Sequence, residues 1–285
     1  MAGAGLVEIK RRMRSITNTR KITRAMNVVA TSKLKKSRRN LENNNKYYNL
    51  LDGTMKKVIS VCEDTNLYKD GNKVIDKLYI VITSDSGLCG GFNGEVINTA
   101  VKQIKRDKKD FSIIVVGQKG RAYFNKLNYE TVAEYVDIKD IPTTKEAAVL
   151  ANDALKMYEG NEVGEVNIIY SQFISTVRRK MEIRKILPLN DELNNEQNSN
   201  NFVELEPDAN SILNENIKSY LTQSILNCML NSKSSEQAAR MEAMSNATQN
   251  ANDLLEKLNI KYNRIRQSSI TQEIAEIVGG AEAQK

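Results

Sequence analysis

A glycine-rich loop in the first half of the chain is the segment whose residue types most resemble a ligand-binding site. Residues 84–94 read Ser-Asp-Ser-Gly-Leu-Cys-Gly-Gly-Phe-Asn-Gly, after an apolar run and before a helical pattern. Loops that hold dinucleotide phosphates occupy that position. The spacing is not G-x-G-x-x-G, however. A P-loop has a Lys directly after its last glycine, whereas here no Lys follows until Lys102. We interpret the glycines as allowing a tight strand-to-helix turn, and a nucleotide-dependent enzyme stays as an alternative.

The composition leaves few groups for catalysis or metal binding. The 285 residues include no His, which removes the commonest general base and metal ligand. Cys62, Cys89 and Cys228 are odd in number and far apart, so they fit neither a disulfide framework nor a zinc pattern, and a reducing compartment is indicated. Cys89 is interpreted as a packed small residue because no His can activate it. We predict no catalytic residue, no metal site and no cofactor.

The N-terminal segment is strongly basic. Residues 1–39 contain twelve Lys and Arg against one acid, Glu8, whereas the whole chain carries a net charge of only +7. Such a run could be a solvated helix face, but the scarcity of acids one turn away leaves like charges to repel each other. An acidic partner would relieve that repulsion. A basic coiled-coil protein that binds nucleic acid is therefore an open alternative, although the segment lacks the interleaved aromatics typical of single-strand binding.

Glycine and proline divide the chain into three parts. Residues 6–52 and 208–278 contain neither, so both stretches can form unbroken helices. All three prolines and ten of the fourteen glycines lie between them. We predict an N-terminal coiled-coil helix over 1–56, a central α/β domain over 57–207 and a C-terminal coiled-coil helix over 208–285.

Both terminal stretches carry a seam of apolar and small residues. The N-terminal seam has a mean step of about 3.5 residues, the period of a left-handed coiled coil. Because the chain must leave and return, the two helices are expected to pair antiparallel. The N-terminal seam is Leu6, Ile9, Met13, Ile16, Thr19, Thr23, Met26, Ala30, Leu34, Ser37 and Leu41. The C-terminal seam is Ile217, Leu221, Ile225, Cys228, Ser232, Ser235, Ala239, Ala243, Leu254, Leu258, Tyr262 and Ile265.

The middle of the chain alternates between strand and helix patterns. That alternation predicts a small Rossmann-like α/β domain with a largely parallel sheet. The polar segment 190–201 is expected to be an exposed loop. The apolar runs are too short to cross a bilayer, and the first residues lack the apolar core of a signal peptide. Strands are predicted over 78–83, 112–116 and 166–170, and helices over 95–105, 119–127 and 145–158.

Four stretches of the chain resemble the gamma subunits of F-type (rotary) ATP synthases, bacterial type. Residues 21–34, Lys-Ile-Thr-Arg-Ala-Met-Asn-Val-Val-Ala-Thr-Ser-Lys-Leu, are similar to the family's N-terminal helix. Residues 82–91 resemble its central loop, whose usual basic residue is replaced here by Ser86. Residues 235–244 and 262–281 match its C-terminal helix. The resemblance covers the whole chain in the same order, without the inserted cysteine pair of chloroplast members.

The resemblance implies a rotor. In that family the two terminal helices form an asymmetric shaft inside a hexamer of three alpha and three beta subunits. The central α/β domain forms a foot that rests, with epsilon, on the membrane c-ring. Rotation of this central stalk couples ion flow to ATP synthesis or hydrolysis, and the active sites lie on other subunits. The chain would then be peripheral on the cytoplasmic face of the bacterial cell membrane, held there by other subunits, with no nucleic-acid partner.

The same resemblance implies the contact residues. One group matches a polar pair that catches a loop of the empty beta subunit, together with a residue further along that helix. A second group faces the acidic C-terminal lever of beta, and one acid belongs to a short turn near the c-ring. The polar pair is Arg266 and Gln267, and the residue further along the helix is Thr271. The second group is Met26 with Lys33, Lys35 and Lys36, and the acid near the c-ring is Glu206.

Overall fold

The computed structural model describes residues 2–62, 66–107, 109–189 and 205–282. The loop predicted at 190–201 lies outside these residues. The chain forms two compact units, one made of Met1–Ala30 with Met241–Lys285 and the other of Thr31–Arg240. The predicted boundaries at 56 and 207 are drawn on a different criterion, helix against α/β domain, and stay a prediction.

Two very long helices begin and end the chain, as predicted. Helix α1 spans Ala2–Val61 and the last helix, α6, spans Ala209–Glu282. Pro207 precedes α6, and the carboxylate of Asp208 accepts hydrogen bonds from the backbone N–H and the hydroxyl of Ser211, at 2.8 and 2.7 Å. These bonds supply acceptors to the open first turn, so Asp208 starts the helix. They also lower the pKa of Asp208.

In the unit Met1–Ala30 with Met241–Lys285, α1 and α6 run antiparallel. Arg20 donates to the side chain of Asn252 at 3.2 Å, and Asn27 donates to the backbone carbonyl of Met241 at 3.2 Å. Rising numbers on one helix therefore meet falling numbers on the other. The hydroxyl pair Thr23–Thr248, 2.8 Å apart, lies between these contacts in sequence.

Two seam residues were predicted wrongly in this unit. Thr19 is exposed, and Arg20 contacts α6 instead. Leu254 is 47% exposed, whereas its neighbour Leu255 is buried. The neighbouring seam positions Ile16, Thr23 and Leu258 are buried or half-buried, so each error is one residue wide and the seam itself continues.

In the unit Thr31–Arg240, polar pairs connect the two helices in the same antiparallel sense. The hydroxyls of Ser37 and Ser234 lie 2.8 Å apart and both are buried. The phenol of Tyr220 donates to Asp52 at 2.8 Å. Apolar seam residues such as Leu41 and Leu221 belong to the core cluster of this unit.

The segment between the long helices forms a mixed five-stranded sheet in the order β3-β2-β1-β4-β5. The first four strands are parallel and β5 pairs antiparallel with β4. The predicted α/β class and the three predicted strands are confirmed, while β3 and β5 were not predicted. The elements are α2 Leu67–Asp70, β1 Lys77–Ile82, α3 Phe92–Asp107, β2 Phe111–Val116, α4 Gln118–Lys126, β3 Ala133–Tyr135, α5 Thr144–Glu159, β4 Glu165–Phe173 and β5 Arg179–Leu187.

Candidate functional site

The strand order defines where a ligand would bind in a sheet of this kind. After β1 the chain adds β2 and β3 on one side, and β4 then pairs on the other side of β1. Ligands of open α/β sheets bind outside the carboxyl ends of the strands at that reversal. The expected ligand position is therefore the crevice at the ends of β1 and β4.

That crevice holds a stretch of the chain's own helix α6. The Ser232 hydroxyl donates to the carbonyl of Ile82, the last residue of β1, at 3.4 Å. The Ser235 hydroxyl donates to the carbonyl of Ser171 in β4 at 3.0 Å. Ser232 and Ser235 are both buried. The strand ends thus bind a helix through hydroxyl groups, which disfavours the nucleotide-dependent enzyme considered from the sequence.

The glycine-rich loop forms the tight turn that was interpreted from its sequence. Leu88 and Gly90 have φ angles of 62° and 57°, in the left-handed region. The side-chain amide of Asn93 donates to the Ser84 hydroxyl at 2.8 Å and accepts from the Ser84 backbone N–H at 3.0 Å. Cys89 is 2% exposed and packs in the core, in agreement with a structural role.

The start of helix α4 is fitted closely to the end of β1. Gly117 has φ +99°, and a Cβ there would lie 2.5 Å from the carbonyl oxygen of Thr83. The backbone N–H of Gly120 donates to the Thr83 hydroxyl at 2.9 Å. Asp85 in turn accepts from the backbone N–H groups of Gln118 and Asp137 at 3.0 and 3.1 Å. The loop that receives α6 is therefore also fixed by the start of α4 and by the segment that follows β3.

Arg240 joins α6 to this loop. Its guanidinium donates to the carbonyl and hydroxyl of Ser86 at 3.0 and 2.9 Å, and to the carbonyl of Gly87 at 3.3 Å. It also forms an ion pair with Glu236 at 2.8 Å, and Lys233 pairs with the other oxygen of Glu236 at 3.1 Å. The Glu236 side chain is only 3% exposed, so these two cations are needed to stabilise its buried negative charge.

Sequence reasoning gave Arg240 and Glu236 no role and placed Ser232 and Ser235 only in the helix-pairing seam of α6. The available signal was the run of small residues at seam positions of α6, which was interpreted as close approach of the other long helix and did not indicate the sheet. Ser86 stands where the resembled family usually has a basic residue, and here it accepts the Arg240 contact.

One predicted contact residue has a partner within the chain. The Lys33 ammonium lies 2.8 Å from a carboxylate oxygen of Asp140, in the segment between β3 and α5. This hydrogen bond lowers the pKa of Asp140. The two side chains are 41% and 57% exposed. Lys35 and Lys36 are exposed on the same helix.

The other predicted contact residues lie on three separate segments. Arg266, Gln267 and Thr271 are exposed within about two turns of α6, and the Thr271 hydroxyl donates to the carbonyl of Gln267 at 3.0 Å. Met26 is half-buried on α1. Glu206 is exposed just before α6 begins. Each is placed where a partner could reach it, and their roles stay predictions.

Several chemical properties of the described residues bear on function. Cys62, Cys89 and Cys228 are free and buried, and burial raises the pKa of the Cys228 thiol to about 11. Within the described ranges, no three His, Cys, Asp or Glu side chains group so that they could hold a metal ion. None of the helices described combines the length and apolar character needed to cross a membrane.

The fold and the closed crevice together define a class: an α/β domain whose ligand position is taken by one of two long, antiparallel terminal helices. The ATP synthase family model matches residues 5–284. ATP synthase gamma chains of Clostridium acetobutylicum and Clostridium botulinum are 55% and 52% identical over the full length of both chains. The chain belongs to the ATP synthase family, among its gamma chains.

Solved structures agree with this placement. A chain of the Tetrahymena thermophila mitochondrial ATP synthase, from the central stalk with its c-ring, superposes with a TM-score of 0.63 at 29% identity, over 79% of this chain and 99% of that one. A chain of the Euglena gracilis mitochondrial ATP synthase reaches 0.71 at 18% identity, over 99% and 95%, and supports the fold alone. The matches give no support to the nucleic-acid alternative.

Proposed function

We propose that this chain is the non-catalytic central-stalk rotor subunit of a bacterial ATP synthase. It transmits rotation between a membrane c-ring and a catalytic hexamer of three alpha and three beta subunits, with epsilon beside it on the ring. Ion flow is thereby coupled to ATP synthesis or hydrolysis. The chain stays on the cytoplasmic face of the cell membrane through its partner subunits.

The observation that carries this proposal is the fastening of α6 to the α/β domain. A helix that transmits torque must not slip against the domain that turns it. Here Ser232 and Ser235 are hydrogen-bonded to the ends of two strands, and Arg240 is hydrogen-bonded to the adjacent loop. The two serine contacts are buried, so water does not compete for them, whereas the Arg240 contact reaches Ser86 at the exposed surface of the loop. The domain therefore holds the helix at three residues spread over about two turns.

The exposed residues of the same helices supply the contacts with the hexamer. Arg266, Gln267 and Thr271 would catch a loop of one beta subunit, while Met26 with Lys33, Lys35 and Lys36 would meet the acidic lever of another. Such contacts drive conformational change only if their affinity differs among the three beta conformations. An asymmetric set of side chains on two helices meets that requirement. Glu206 would contact the c-ring region.

Assembly and pumping test the proposal. The chain should co-purify with alpha and beta subunits at one copy to three of each. In reconstituted vesicles we expect Met26→Lys to lower ATP-driven proton pumping more than ATP hydrolysis, because an added cation strengthens contact with the acidic lever at every angle. Asn125→Lys on exposed α4 adds the same charge as a control.

The two parts of this test fail separately. Absence of alpha and beta from the purified complex would refute the rotor function itself. A normal ratio of pumping to hydrolysis in the Met26→Lys complex would refute only the role given to Met26.

A further inference from the structure

A group of charged side chains lies beside the closed crevice and is not explained by fastening alone. Asp140 forms its ion pair with Lys33 of α1, and the nearby charges of Lys233 and Arg240 of α6 also lower the pKa of Asp140. Lys233 and Arg240 are already paired with buried Glu236. Lys33 is therefore the cation that Asp140 contacts directly.

The two ends of this group differ in exposure. The side chains of Glu236 and Arg240 are 3% and 9% exposed, whereas those of Lys33 and Asp140 are 41% and 57% exposed. A buried pair is costly to open because a lone charge would remain out of water. An exposed pair is weak, so a lysine in such a pair can exchange its carboxylate partner for another carboxylate.

We propose that Asp140 is an internal competitor for Lys33, so that an acidic segment of a partner protein must displace Asp140 to contact this lysine. The inference rests on the proposed function, in which Lys33 meets an acidic segment of the beta subunit. Lys36, one turn along α1, is exposed and extends the cationic surface that such a segment would meet. Acidic residues fit this surface because they supply the same carboxylate chemistry as Asp140.

The internal pair limits how tightly the surface holds its partner. While Asp140 occupies Lys33, a partner carboxylate gains only the difference between two similar contacts. A contact that forms and releases once per rotation benefits from that small difference, since tight binding at one angle would stall the rotor. Asp140 would then tune release without touching the partner.

Binding of a labelled glutamate-rich peptide to the full-length chain tests this inference. Asp140→Asn keeps the size of the side chain and removes its charge. We expect this variant to bind the peptide about two- to five-fold more tightly, the range that corresponds to one exposed ion pair. Asp110→Asn, at an exposed position on the same domain, adds the same net charge as a control and should change affinity less.

A second variant identifies the lysine. Lys33→Gln should weaken peptide binding, and in that background Asp140→Asn should give no more than the Asp110→Asn effect. Equal affinities for the Asp140→Asn and Asp110→Asn chains would overturn the inference, as would a gain that persists without Lys33 or a failure of the Asp140→Asn chain to bind the peptide. Co-purification with alpha and beta is measured separately, so the rotor function can stand while this inference fails.

Discussion

The same helix has two different environments in the two compact units. In the unit Thr31–Arg240, residues 220–232 of α6 are buried on every side. In the unit that contains Met241–Lys285, most of α6 is exposed, and isolated residues such as Met244, Ala251 and Leu255 are buried. The composition does not follow this division, because the buried stretch includes Thr222, Gln223 and other polar residues.

The difference shows that burial of this helix is set by its partners and not by its hydrophobicity. A helix buried all round is normally apolar all round. Here several of the polar groups have partners on neighbouring elements: Gln223 and Asn227 donate to Asn44 and Asn45 of α1, and Ser232 donates to the end of β1. The exposed stretch has the alternative design, one contact stripe and a free surface. We infer that the first stretch anchors α6 in the α/β domain and that the second presents an exposed surface for contact with partner subunits.

The largest contrast is expected for a buried charge. Glu236→Gln removes the carboxylate that Lys233 and Arg240 share, and so leaves two cations without their counter-ion. Breaking a buried ion pair in this way costs about 3–5 kcal/mol. Urea unfolding of the full chain, followed by circular dichroism, measures the loss. Glu256→Gln, at an exposed position of the same helix, serves as the control and should cost less than about 0.5 kcal/mol. Equal losses would show that the buried group is not special.

A matched pair of leucines gives the next contrast. Leu221 is fully buried and Leu258 is half-buried, and both lie on the α6 seam. Leu221→Ala should cost about 3 kcal/mol because it removes methyl groups and leaves a cavity. Leu258→Ala should cost about 1 kcal/mol, since its surroundings are already partly hydrated. Thermal unfolding of the two variants measures the difference. A larger loss of stability for Leu258→Ala than for Leu221→Ala would contradict the assignment of the first stretch as the anchored one.

Much of the fold could be predicted from sequence because its strongest signals are local. The absence of Gly and Pro indicated α1 and α6, and β-branched runs indicated β1, β2 and β4. Strand β5, Arg179–Leu187, lies at the sheet edge, is rich in charged residues and gave no such signal. Strand β3 has only three residues. Thr19 and Leu254 were placed wrongly because Arg20 and Leu255, one residue further on, fit steps of three and four residues equally well, and spacing alone does not choose between them.

The closed crevice could not be predicted because it depends on contacts between distant parts of the chain. Arg240 and Ser86 are 154 residues apart, and nothing near either residue indicates the other. Ser232 and Ser235 looked like ordinary small seam residues. The motif resemblance identified where α6 matters without indicating that one part of it is enclosed by the α/β domain.

The smallest contrast uses two hydroxyl pairs of equal length. Ser37–Ser234 and Thr23–Thr248 are both 2.8 Å apart, yet the first pair is at most 1% exposed while Thr248 is half-buried. Ser234→Ala should cost about 1–3 kcal/mol, because it leaves the Ser37 hydroxyl buried without this partner. Thr248→Val keeps the side-chain shape and should cost under about 1 kcal/mol, since the Thr23 hydroxyl keeps its hydrogen bond to the carbonyl of Arg20.

The double variant Ser37→Ala with Ser234→Ala decides the cause. If the cost comes from an unsatisfied buried hydroxyl, removing both hydroxyls should recover part of the stability lost in Ser234→Ala. Urea unfolding of the three serine variants and Thr248→Val measures these differences. Additive losses in the double variant would mean that packing, and not the hydrogen bond, distinguishes the enclosed stretch of α6 from the exposed one.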